Sequence, residues 1–172
     1  MGALSVVRPE AFAADALDRA QLAAANINPT TRLATDYLNH FNEAIMMLEM
    51  LAEMPDCIVD LVEWRPLTYP EHFSASNFKG RELAIRAYEA AEPAARARLD
   101  ELADTMNTIL VATRDAILTP LSEPLANAVA AEAVARVKPL VAEAGAVING
   151  GCVPDSADAS SQAIIDALLD GS

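Results

Sequence analysis

The stretch LATDYLNHFNEAIMMLEMLAEM, residues 33–54, decides the fold. No Gly or Pro appears in it before Pro55, so a helical hydrogen-bond ladder can run through it unbroken. Leu33, Tyr37, Phe41, Ile45, Leu48 and Ala52 recur at steps of three and four. Those steps put them on one face of a helix of about 3.6 residues per turn. A second line at the same spacing, Asp36, His40, Glu43, Met47, Met50 and Met54, begins polar and ends in methionine. Thr30 or Thr31, just after Pro29, offers a hydroxyl to the first free N–H groups. The spacing predicts a long helix over 33–54 with an apolar core face and a mixed face beside it.

The rest of the chain reads the same way. Roughly a fifth of the residues are alanine, well above ordinary usage, and aromatics are only 5 %. Alanine loses no side-chain entropy in a helix, and little in the chain alternates with period two, so few or no strands are expected. Pro9 and the alanines after it suggest an opening helix over 9–25, ended by Asn26 to Pro29. A short helix is expected over 56–64, and Cys57 packs with it as a small apolar group. The segment RPLTYPEHFSAS, residues 65–76, reads as the longest irregular stretch. Further helices are expected over 78–91, 93–118 and 125–147, with Pro139 kinking or splitting the last. A short terminal helix over 159–169 follows the Asn149-Gly150-Gly151 stop.

These elements make an all-α, single-domain antiparallel bundle of about six to seven helices. Two long central helices, over 33–54 and 93–118, form its backbone. Residues 1–150 constitute the bundle. Residues 151–172 form a linker and a helix whose four large aliphatics dock on the bundle or on a second subunit, which points to a homodimer.

A formal charge of −13 argues against nucleic acid and anionic membrane surfaces as partners, because both are held through Lys and Arg. The charge is uneven. Between Asp36 and Glu63 lie seven acidic residues and no Lys or Arg. Between Lys79 and Arg98 the basic residues Lys79, Arg81, Arg86, Arg96 and Arg98 outnumber Glu82, Glu89 and Glu92. Either the two stretches lie side by side, as neighbours in sequence usually do, or the acidic one meets a basic partner. Cys57 and Cys152 do not make a disulfide framework, and the opening residues lack a secretory pattern. No apolar run is long enough to cross a bilayer. A cytoplasmic setting is the expectation.

Chemistry concentrates around the two histidines. Asp36, His40 and Glu43 stand at i, i+4 and i+7 and can converge within two helical turns. Imidazole and carboxylate together suit zinc, iron or manganese, so Asp36, His40, Glu43 and His72 are the candidate metal ligands. His40 and His72 are the candidate acid–base groups, with Glu101 or Asp104 able to join them. The same residues also read as a solvated polar stripe that needs no cofactor. Tyr69, His72 and Phe73, close after Trp64, read either as a ligand wall or as aromatics plugging one end of the bundle.

No phosphate loop, GxSxG elbow or HExxH occurs. The two Glu-x-x-His pairs of a di-iron bundle are absent, since the single pair here, His40 and Glu43, runs the other way. Phosphotransfer through His40 is disfavoured, because Glu43 one turn away would repel the phosphoryl group. Two functions remain. One is an interaction or structural module that self-associates, with Met47, Met50 and Met54 forming an adaptable groove. The other is a metal-dependent or acid–base enzyme, and it turns on whether His40 and His72 meet.

Overall fold

The structure is a computed structural model that describes residues 17–151. Among them are seven α-helices and no strand. The expected opening helix falls partly, and the C-terminal linker and terminal helix almost wholly, outside the described residues.

Helix α1, Arg19–Ala24, is capped by the Asp18 carboxylate, which accepts from the N–H of Ala20 at 3.0 Å. The loop after it is tied by its own asparagines. Asn26 takes φ 57°, a left-handed angle that asparagine tolerates better than most residues. The Asn28 side-chain oxygen accepts from the N–H groups of Thr30 and Thr31 at 2.8 and 3.0 Å.

The segment expected to start the central helix is extended instead. Leu33 and Ala34 are fully buried, and Ala34 lies at φ −117°, ψ 133°. Its N–H donates to the Tyr69 hydroxyl at 2.9 Å, and Thr31, expected as a cap, donates its hydroxyl to the carbonyl of Ile148. Tertiary partners outside the segment therefore outbid local helical propensity. A 3-10 turn, Thr35–Tyr37, leads into α2, Leu38–Met50, so the continuous helix is about 20 Å long rather than spanning all of 33–54.

A further 3-10 turn, Pro55–Cys57, opens α3, Ile58–Glu63. The irregular stretch expected over 65–76 contains a helix, α4, Tyr69–Ala75. Thr68 and Glu71 form a reciprocal capping box at its start, with Pro70 in the first turn where no N–H is needed. Helix α5, Arg81–Glu89, begins at Gly80, where a Cβ would sit only 3.0 Å from the Phe78 ring and 3.1 Å from Ala25.

Helices α6, Pro93–Ile117, and α7, Glu123–Ile148, are the two longest, at roughly 38 Å each. They pack along each other more extensively than any other pair, and α2 lies mainly on α7. Arg98 near the start of α6 pairs with Glu143 near the end of α7, so the two run antiparallel. The bundle's backbone is thus α6 with α7, and the shorter α2 completes the core. Helix α7 passes Pro139 without a break. Pro139 and Ala135, whose carbonyl loses its N–H, are both exposed, so water can satisfy the freed group.

The acidic stretch is not neutralised by the basic one. Among the described residues no ion pair joins 36–63 to 79–98; Glu49 pairs with Lys138 on α7, and Arg98 with Glu101 and Glu143. Arg98 of α6 turns to α7 because α7, more than α2, is the neighbour of α6, while α5 packs on α4 and α1.

Candidate functional site

Every aromatic side chain of the described residues, together with both histidines, joins one ring network at the α2–α4 end of the bundle. Tyr37 is its hub, edge-on to Phe41, Tyr69 and His72 at 5.2 to 5.6 Å between centroids. Its hydroxyl donates to the carbonyl of Leu67 at 2.8 Å. Burial, with Asp100 and Asp104 nearby, pushes the Tyr37 phenol far above its ordinary range, so it stays a neutral donor. Tyr88, donating to Asp100, is pushed up to about 12 by burial and that bond.

His40 and His72 do meet, with ring centroids 6.0 Å apart. The network places them in different roles. His40 is buried, stacks on Trp64 at 4.8 Å, and accepts from the Leu67 N–H through Nε2 at 3.2 Å. An accepting Nε2 puts the ring hydrogen of neutral His40 on Nδ1. Burial, and then His72, push its pKa down to about 4. At neutral pH His40 is an uncharged structural ring that pins the 64–67 segment to α2.

His72 instead reaches back to Asp36, with Nε2 3.1 Å from Oδ2. A carboxylate only accepts, so this nitrogen carries the hydrogen. The other carboxylate oxygen of Asp36 accepts from the Asn39 amide at 3.1 Å. Asp36 is thereby held from both sides.

The four candidate ligands do not converge on one point. Asp36 and Asn39 line a cleft of about 660 Å³ bounded by the 26–29 loop, the start of α2 and the end of α7. His40 and Glu43 line a second groove of about 490 Å³ between α2 and α3, with Met46, Asp60, Glu63 and Trp64. Among the described residues no three His, Cys, Asp or Glu side chains cluster closely enough to hold a metal ion. Helical spacing could not foresee this, because Asp36 sits on the 3-10 turn and its azimuth differs from the α-helical one. Glu101 is turned to Arg98, and Asp104 is exposed on α6.

Three features escaped the sequence reading. Asn39 and Asn42 extend the line of Asp36 at i+3 and i+6, a spacing legible in the sequence. Met46, not Met47, is the exposed methionine lining the groove; Met47 is buried and Met46 is 53 % exposed. Trp64 joins the groove wall rather than only plugging the core.

Comparison with protein-family models, curated proteins and solved structures returns no match. The functional reading rests on the site alone. No helix among the described residues is long and apolar enough to cross a membrane.

Proposed function

We propose that this chain is a protein-interaction module whose α2–α3 groove receives a basic amphipathic segment of a partner protein. One observation carries the reading: exposed apolar side chains and uncompensated acids occur together along α2, α3 and the turn between them. Of the six large apolar residues that are exposed among the described residues, Met46, Met54, Val59 and Val62 fall between the start of α2 and the end of α3. Glu43, Asp60 and Glu63 line the groove between those helices, and the one basic side chain lining it, Arg65, donates to the carbonyls of Val62 and Trp64. Of the exposed apolar residues Met46 lines the groove itself, beside the apolar Met47, Trp64 and Leu67. An apolar wall rimmed by one sign of charge suits a helix that is apolar on one face and basic on the flanks. Methionine adapts to irregular partner surfaces, which favours this role for Met46.

Trp64 is the chain's single tryptophan and lies in the groove, so its fluorescence reports occupancy. Titration with a synthetic Leu/Lys amphipathic peptide should shift the emission saturably. Asp60→Lys with Glu63→Lys should abolish the shift, while Glu82→Lys with Glu89→Lys on α5 should leave it. An unchanged emission, or equal loss in both variants, would overturn the proposal. Self-association to a homodimer in the cytoplasm belongs to the same reading, and sedimentation velocity tests it.

The convergence of His72 with Asp36 favours a second reading, an acid–base or metal-assisted centre at that pair. Elemental analysis of chelator-free protein against His72→Ala tests the metal part. Zinc, iron or manganese near one equivalent and lost in the variant would support it; metal-free wild type would reject it.

A further inference from the structure

We propose that the cleft beside Asp36 binds a small neutral sugar. This proposal is independent of the α2–α3 groove and concerns the opposite end of the polar residues discussed above. The cleft, about 660 Å³, is large enough for a mono- or disaccharide.

Its lining sets the chemistry. Among the described residues Asp36 is its one ionisable side chain, and no Lys or Arg lines it, which disfavours phosphates and carboxylates. Five asparagines line the cleft with it. The fold itself explains three of them: Asn26 takes the left-handed angle, Asn28 ties the loop, and Asn149 ends α7. Asn39 donates to Asp36 at 3.1 Å, and Asn42 is the one to which the fold gives no such role. Both are exposed on α2, where asparagine is a poor helix former, yet they stand one turn apart beyond Asp36 on the cleft wall. Local propensity yielding at a concave polar wall is the pattern expected of a binding surface.

Amides and carboxylates suit hydroxyl groups, which both donate and accept. Each Asp36 oxygen accepts one bond within the protein and keeps a further lone pair for a ligand hydroxyl. His72 and Asn39 fix the carboxylate in place, so two adjacent hydroxyls meet an oriented acceptor pair rather than a freely rotating one. Phe78, half-buried, also lines the cleft and supplies apolar surface for the C–H side of a pyranose.

The test is saturation-transfer NMR on the full chain with glucose, galactose, maltose and trehalose, alongside glucose 6-phosphate and glucuronate. Calorimetry then follows any sugar that binds. At least one neutral sugar should bind, and the two anions should not. Asn42→Leu and Asp36→Ala should each weaken binding about tenfold, the scale of losing one good hydrogen bond to an oriented group. Glu132→Gln on α7 should leave binding unchanged. Asn42 is exposed, so its variant keeps the question open to test even if Asp36→Ala unfolds. Silence from all four neutral sugars, equal binding of the anions, or unaltered affinity in Asn42→Leu would overturn the proposal.

Discussion

The indole Nε1 of Trp64 donates to the main-chain carbonyl of His40 at 3.1 Å, while the two rings stack with centroids 4.8 Å apart. One residue of α2 thus holds the segment leaving α3 through its backbone, its ring face and, by way of Leu67, its Nε2. The arrangement requires a neutral imidazole, because a protonated Nε2 would point its hydrogen at the Leu67 N–H.

Stability should therefore fall in mild acid. The folded pKa of His40, about 4, lies below its ordinary 6.5, so the unfolded chain binds the extra proton first as pH drops. The stabilisation is complete above about pH 6.5 and is lost as pH falls through about 4. Its full size is on the order of 3 kcal/mol. Urea unfolding of wild type and His40→Gln at closely spaced pH values from 7 down to 4 measures it. The difference between the two should shrink steadily over that window; a constant difference would refute the role given to His40.

The pair of Asp36 and His72 joins the start of α2 to α4 across 36 residues of chain. Neither side chain is fully exposed, so the bond should be worth about 1 kcal/mol, more than a surface ion pair. A double-mutant cycle with Asp36→Ala and His72→Ala, read by chemical denaturation, should give a coupling of that size. Strict additivity would mean that the two side chains do not sense each other.

Helix α4 is seven residues long and depends on its capping box. Thr68→Ala removes the hydroxyl that accepts from the Glu71 N–H and should cost about 1 kcal/mol. Thr68→Ser keeps the oxygen and should restore most of it. Because α4 carries His72 and the buried Tyr69 and Phe73, loss of the cap should also quicken amide exchange across 69–75.

How much of this was legible beforehand differs residue by residue. The steps of three and four through Phe41, Ile45 and Leu48 reported the core face of α2 faithfully, since burial follows helical azimuth. The boundary at Leu33 was not legible, because the partners that pull Ala34 and Thr31 out of helix are Tyr69 and Ile148, remote in sequence. The start of α4 was legible: Thr68-x-x-Glu71 is a capping signature, and Pro70 masked it by suggesting a loop. At the site, the pairing of His72 with Asp36 lies beyond any local spacing. The ladder of Asp36, Asn39 and Asn42 did not.

Pro139 is the remaining sequence feature whose effect is measurable. It sits in the middle of α7, exposed, where its ring crowds the carbonyl of Ala135 and withholds one N–H from the ladder. An exposed proline in a helix interior costs up to about 3 kcal/mol relative to alanine, offset in part because proline also restricts the unfolded chain. Pro139→Ala should therefore raise stability by roughly 1–2 kcal/mol, seen as a higher urea midpoint with an unchanged slope. Leu140 and Val141, packed against the core on the following turn, should keep their contacts. A lower midpoint would mean that Pro139 itself is required for α7 to follow α6 and α2 at once.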